Sequence, residues 1–182
     1  LRRAVSRAGH RAVDRAYAIG KSEHGAPVLS PNPGYALPCS ISHTQNLAVA
    51  LALEGESAGE CAVGVDVEPV RRPTALAITK RVLSPRERGA LGAVLAKEDA
   101  SVELTLRFCI KEALYKALHP LVGAHIPWHS VVAEPRADGS CSIEVEAGTP
   151  AAIPGLRAET AWERLRIVGD DYFLAVASAA LR

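Results

Sequence analysis

In "AVGVDVEP", residues 62–69, Asp66 and Glu68 stand two positions apart among valines. Alternation along a strand puts both carboxylates on one face. Val63, Val65 and Val67 make that strand half-buried, so the two acids repel each other and lose hydration, at several kcal/mol per ion unless something positive compensates. A divalent cation or a basic side chain would do so. The other reading has both acids facing water at a sheet edge, and this stretch alone weighs the two equally. A second acid–base pair lies in "RFCIKEALYKA", residues 107–117. Read as a helix, it has an apolar stripe of Leu106, Ile110, Ala113, Leu114, Ala117 and Leu118, with Glu112 and Lys116 together on roughly the opposite side. Such a pair is an ordinary surface device worth about 0.2–0.5 kcal/mol and by itself says nothing of catalysis. In "SISHT", His43 sits between Ser42 and Thr44 at a strand end, where a histidine more often satisfies backbone groups than binds a ligand. His125 and His129 have a metal-like spacing, but Pro127 between them forbids the helix that would align them.

The elements around these residues follow from pattern. "RRAVSRAGHRAVDRAYAIG", residues 2–20, reads as a helix stopped by Gly20. Arg3, Arg7, Arg11 and Arg15 recur every four residues along it, and six basic residues face the single acid Asp14 in the first 21 positions. A solvated face is the ordinary reading, and an Arg-rich start also fits a transit peptide. Residues 25–38 carry four prolines and two glycines and read as a turn-rich connection. "CSISH", "LAVALAL" and "CAVGVDVEP" read as strands, the last ending at Pro69. Ser84, Pro85 and Glu87 mark a helix start, with Ser84 as N-cap and Glu87 three residues on. A longer helix is expected over about 101–118, ended by Pro120. "HSVVAE", "CSIEVEA", "ERLRIV" and "YFLAVASA" follow as strands, with Gly169-Asp170-Asp171 as the turn between the last two. "NLAVAL" at 46–51 echoes "FLAVAS" at 173–178, which permits an internally duplicated α+β architecture.

Composition bounds the class. At 182 residues and 48% apolar content, the chain can form one large domain or two small, packed ones. A net charge of +1 removes any global case for nucleic acid. No apolar run approaches the roughly 18 residues of a membrane span, so a soluble, cytoplasmic protein is expected. Cys39, Cys61, Cys109 and Cys141 are scattered with no close pair, and are read as reduced thiols rather than zinc ligands or disulfides. Methionine is absent even at position 1, so the chain is expected to begin inside a longer gene product. Sixteen arginines against five lysines, with abundant alanine, point to a GC-rich bacterial genome.

Order adds what no single motif carries. "SISHT" at 40–44, then "VGVDVE" at 63–68, then "RFCIKEALYKA" resembles the pattern of the surfactin-type 4′-phosphopantetheinyl transferases. "PNPGYALPCSISHT" and "RAGHRAVDRA" are most similar to the enterobactin-type branch. The resemblance implies an α+β fold of two pseudo-symmetric halves, here 1–70 and 71–182, with coenzyme A in the cleft between them. It implies transfer of the phosphopantetheine arm to a serine of an acyl, peptidyl or aryl carrier protein, releasing 3′,5′-ADP. Polyketide and nonribosomal peptide biosynthesis is the expected setting, and a monomer the expected state. Asp66, Glu68 and Glu112 would hold Mg²⁺ against the pyrophosphate, and Glu112 would also act as base. His43 would meet the 3′-phosphate and Lys116, catalytic with Glu112, the pyrophosphate, while Ser42, Thr44 and Lys111 would also bind the coenzyme. Arg7 or Arg11 would face the coenzyme, with His10 beside them where the family usually has arginine. It also implies a further segment before the region matching residue 1. A module that binds coenzyme A or docks carriers without catalysis, and more distantly a metal-dependent phosphohydrolase, are the rival readings.

Overall fold

The computed structural model describes residues 18–22, 25–30, 37–53, 61–70, 78–95 and 100–181. Residues 1–34 and 35–182 form two compact units. In the first, β1 (Ala18–Lys21) and β2 (Pro27–Ser30) make an antiparallel hairpin. The sequence expectation of a helix through Gly20 and a strandless connection from residue 25 is therefore corrected here. Ile19 and Val28 favour extended backbone, Gly25 at φ 81° turns the chain, and Pro27 opens its strand, where a missing N–H is tolerated. The rest of the expected helix, with Arg7, His10 and Arg11, lies outside the described residues.

The second unit is built on a five-stranded antiparallel sheet in the order β5-β9-β8-β7-β6. Its strands are β5 (Cys61–Pro69), β6 (Val131–Pro135), β7 (Ser140–Val145), β8 (Leu156–Ile167) and β9 (Asp170–Leu181). A separate hairpin, β3 (Cys39–His43) with β4 (Ala48–Ala52), precedes it. Three helices follow β5: α1 (Thr79–Val82), α2 (Pro85–Leu95) and α3 (Ala100–Val122). α2 starts as its sequence dictates: the Ser84 N–H donates to Glu87 Oε2 at 2.7 Å and the Glu87 N–H to Ser84 Oγ at 3.2 Å. α3 runs past Pro120 instead of stopping before it. A proline in the last turn removes only its own N–H, and the helix ends at Gly123, with φ 65°.

The free edge of β5 is closed by side chains. Ser40 Oγ accepts the Val65 N–H at 3.0 Å and Ser42 Oγ the Val67 N–H at 3.4 Å. The same offset of 25 residues in both bonds means that β3 runs parallel to β5. On the sheet face, α3 packs at Gly64. A Cβ there would collide with the Ala113 carbonyl oxygen and lie 2.8 Å from the Ala117 nitrogen. Beside Gly64, β9 presents Ala175, Ala177 and Ala179, all buried, so small residues floor the whole helix seat.

The β8–β9 turn is Val168-Gly169, one residue earlier than expected, because Asp170 and Asp171 already pair with Ile167 and Arg166. Val168 is fully exposed at φ 50°, a backbone region hostile to β-branched residues. Asn-Gly is what such a two-residue turn prefers. Val168→Asn should therefore stabilise the protein by about 1 kcal/mol, raising Tm by about 2–4 °C in thermal unfolding. Gly64→Ala should do the opposite, costing about 1–3 kcal/mol or preventing folding, because the obstacle is backbone and not a flexible side chain.

Candidate active site

Gly64, Asp66 and Glu68 lie on one face of β5, the face that α3 covers. Asp66 and Glu68 are both buried, which excludes the reading of two acids facing water. The compensation is a basic side chain, as one of the two sequence alternatives required. Lys116, on α3, donates to Asp66 Oδ1 at 2.8 Å and to the Val65 carbonyl at 3.0 Å. Ser42, on β3, donates its hydroxyl to the same Oδ1 at 2.7 Å. Three elements thus converge on one carboxylate oxygen. The other oxygen, Oδ2, is buried and has no hydrogen-bond partner among the described residues.

Glu112 precedes Lys116 by one helical turn and joins the cluster electrostatically. Burial raises its carboxyl above the usual glutamate range, and the Asp66 charge raises it further. Lys116 pulls it back down, with a smaller contribution in the same direction from the Trp128 side chain. Cys109, another turn earlier, sits against the Asp66 carbonyl at 3.4 Å. Burial, and then the charges of Asp66 and Glu68, push its thiol well up, so it is an inert packing residue. Among the described residues no three His, Cys, Asp or Glu side chains are grouped closely enough to hold a metal ion.

The other site candidates separate. His43 is exposed at the end of β3, paired with Ala48 across the hairpin. The Thr44 hydroxyl is occupied by its own turn, accepting the Leu47 N–H at 3.1 Å and donating to the Leu47 carbonyl at 3.4 Å. Beyond them, a groove of about 650 Å³ opens, bordered by Thr44, Asn46, Pro69, Arg164 and Arg166. That volume is in the range of small-molecule sites.

Lys111 is corrected. Among the described residues it is the bulkiest fully buried side chain, and all three of its protons are spent: on Glu87 Oε2 at 2.5 Å, the Val82 carbonyl at 2.8 Å and the Trp128 carbonyl at 3.1 Å. No donor remains for a phosphate. Glu87, on α2, is matched in turn by the Ser84 and Ala133 N–H groups and by Arg107, which also donates to the Ala133 carbonyl. Sequence reasoning treated Glu87 as a helix cap alone. The signal it missed was a lysine, Lys111, on the buried side of its helix.

A family model described as the 4′-phosphopantetheinyl transferase superfamily matches residues 62–177, which span β5, all three helices and most of β9. The chain belongs to that superfamily. Its fold is correspondingly similar to the acyl carrier protein synthase of Plasmodium yoelii solved with ADP bound, at 17% identity and TM-score 0.51, covering 66% of this chain and 94% of that one. A holo-ACP-synthase structure from the same organism gives 16% identity and TM-score 0.50 over the same shares. The Chronobacterium ammoniagenes ACPS–CoA complex aligns at 18% identity and TM-score 0.49, covering 67% of this chain and 98% of that one. Among curated proteins no relative matches the chain. The expected α+β 4′-phosphopantetheinyl transferase fold is thereby established, and within this superfamily fold Asp66 and Lys116 meet although 50 residues apart. No described helix is long and apolar enough to cross a membrane.

The Lys111 network predicts a stability effect. Lys111→Met deletes one member of a buried ion pair and should cost about 3–5 kcal/mol, read as a lowered denaturation midpoint. A loss below about 1 kcal/mol would place that lysine at the surface.

Proposed function

We propose that this chain transfers the 4′-phosphopantetheine arm of coenzyme A to a serine of an apo acyl, peptidyl or aryl carrier protein, releasing 3′,5′-ADP. The observation that carries the reading is the meeting of Ser42, Lys116 and Glu112 at Asp66 in a chain of this superfamily. ADP in the similar Plasmodium yoelii synthase accords with a nucleotide co-substrate. The enterobactin-type branch, a monomeric state and the division into halves 1–70 and 71–182 belong to the same proposal.

Each residue then has a role suited to its surroundings. Asp66, with a buried oxygen unpartnered among the described residues, suits Mg²⁺, which takes one or two carboxylates and completes its shell with phosphate oxygens and water. Glu68 and Glu112 are assigned to the same ion, although in this structure the three acids are not grouped closely enough to hold it. When bound, that ion would neutralise charge on the pyrophosphate. Lys116 keeps one of its three donors beyond Asp66 and Val65, and that donor is assigned to a phosphate oxygen. His43, exposed at the strand end, is assigned to the 3′-phosphate, with Ser42 holding Asp66 and Thr44 shaping the turn. Glu112 takes the proton of the attacking serine hydroxyl. The new bond joins that serine oxygen to the phosphorus bearing the pantetheine arm, and the phosphoanhydride bond to 3′,5′-ADP breaks. A carboxyl raised by burial is a better base near neutral pH than an ordinary glutamate. Arg7 and Arg11 are assigned to the coenzyme and the carrier on charge alone.

The test mixes the protein with coenzyme A, Mg²⁺ and an apo carrier protein and weighs the carrier. Gain of the phosphopantetheine mass is expected. Binding without mass gain would select the docking module, and carrier-independent breakdown of coenzyme A the phosphohydrolase. Glu112→Gln should lower the transfer rate by about 10²–10⁴-fold, and full activity would return the pair to surface decoration. Coenzyme A affinity should fall in Lys116→Ala and hold in folded Lys111→Met, measured by calorimetry.

A further inference from the structure

Ser40 and Ser42 close the sheet edge in the same way, but only one of them reaches the site. They lie two apart on β3 and so share a face, both are buried, and each hydroxyl oxygen accepts an N–H of β5, from Val65 at 3.0 Å and from Val67 at 3.4 Å. The difference lies in what each hydroxyl proton can meet. Asp66 stands 24 residues after Ser42, and that proton goes to its Oδ1 at 2.7 Å. At the same offset from Ser40 stands Gly64, which has no side chain to receive one.

Lys116 reaches the same oxygen at 2.8 Å, yet by itself it does not choose between the two. Its ammonium turns three protons on a flexible stem, and the torsion that rotates an aspartate carboxylate is broad and two-fold. The two oxygens would exchange places at small cost. A serine hydroxyl has one proton, and this one is delivered from a buried strand. With both donors on Oδ1, Oδ2 is left buried and unpartnered among the described residues. We propose that Ser42 is a positioning residue for Asp66: its hydroxyl pins Oδ1, so that Oδ2 is the oxygen presented to a divalent cation. The proton committed in this way is not available to coenzyme A. The consequence for transfer rests on the function proposed above, whereas the orientation of Asp66 does not.

The test has two arms. In the first, Mn²⁺ alone is titrated into the chain and its binding followed by electron paramagnetic resonance, with circular dichroism confirming the fold of each variant. Ser42→Ala should weaken Mn²⁺ binding about tenfold or more, the scale for losing a group that orients a metal-holding side chain. Ser42→Thr, which keeps the hydroxyl, should restore it. Ser40→Ala gives up the same kind of edge bond, and the shorter of the two, so it should lower stability and leave Mn²⁺ affinity as in the wild type. If Ser42→Ala does not fold, Ser42→Val against Ser42→Thr, alike in shape and differing in the hydroxyl, makes the same comparison. Equal affinities with and without the hydroxyl overturn the proposal, and so does a wild-type chain that binds no Mn²⁺. In the second arm, the Mg²⁺ concentration for half-maximal transfer should rise in Ser42→Ala by a similar factor, with KM for coenzyme A at saturating Mg²⁺ unchanged. A raised KM with an unaltered Mg²⁺ requirement makes Ser42 a coenzyme contact and overturns the positioning role. If the wild-type chain transfers nothing, the function proposed above fails, and the Mn²⁺ arm still decides the role of Ser42.

Discussion

The chain carries no side chain at residue 64, and α3 occupies the space a Cβ would have taken. Backbone meets backbone there, at Ala113 and Ala117. The distance between helix and sheet is thus set by main-chain atoms, which cannot yield as a rotamer can. Asp66 lies two residues further along the same face, about 7 Å away. Lys116 and Glu112 flank the two alanines on the helix. Once Gly64 seats the helix, the lysine is delivered to the aspartate, and a thicker residue would withdraw it.

Two buried charge networks hang from this one helix, and their difference is informative. Around Glu87 both oxygens are matched, by two backbone N–H groups, Lys111 and Arg107. A polar network so filled rigidifies its surroundings and has nothing left to offer a ligand. Around Asp66 one oxygen takes two donors and the other takes none among the described residues. A buried oxygen left without a partner costs stability in the absence of a ligand. That asymmetry, and not burial or charge as such, separates the site from the scaffold.

Much of this was legible in the sequence, and the parts that were not share a cause. β5, the α2 cap and the apolar stripe of α3 are local patterns, and each appears where periodicity or capping placed it. Asp66 could be read as needing a positive partner because strand alternation buried it, but nothing local could say that the partner was Lys116. The β1–β2 hairpin was missed because Pro27 and Gly25 look like loop residues until the opposing strand is known. Lys111 was assigned to the coenzyme by its place in the motif. Its burial depends on Glu87, which is 24 residues away.

Helical geometry explains how one short stretch can serve both networks. Successive residues turn about 100°, so Glu112 and Lys116, four apart, face the same way within about 40°. Lys111 points about 100° from Glu112, which carries it off the strand and into the layer formed by α1, α2 and the 3-10 turn. The letters K, E and K in "KEALYK" are therefore not one cluster. The first lysine anchors the helix to its neighbours, while the glutamate and second lysine face β5. A charge pattern that would be redundant on a surface helix is divided here between holding the helix in place and equipping the face it presents.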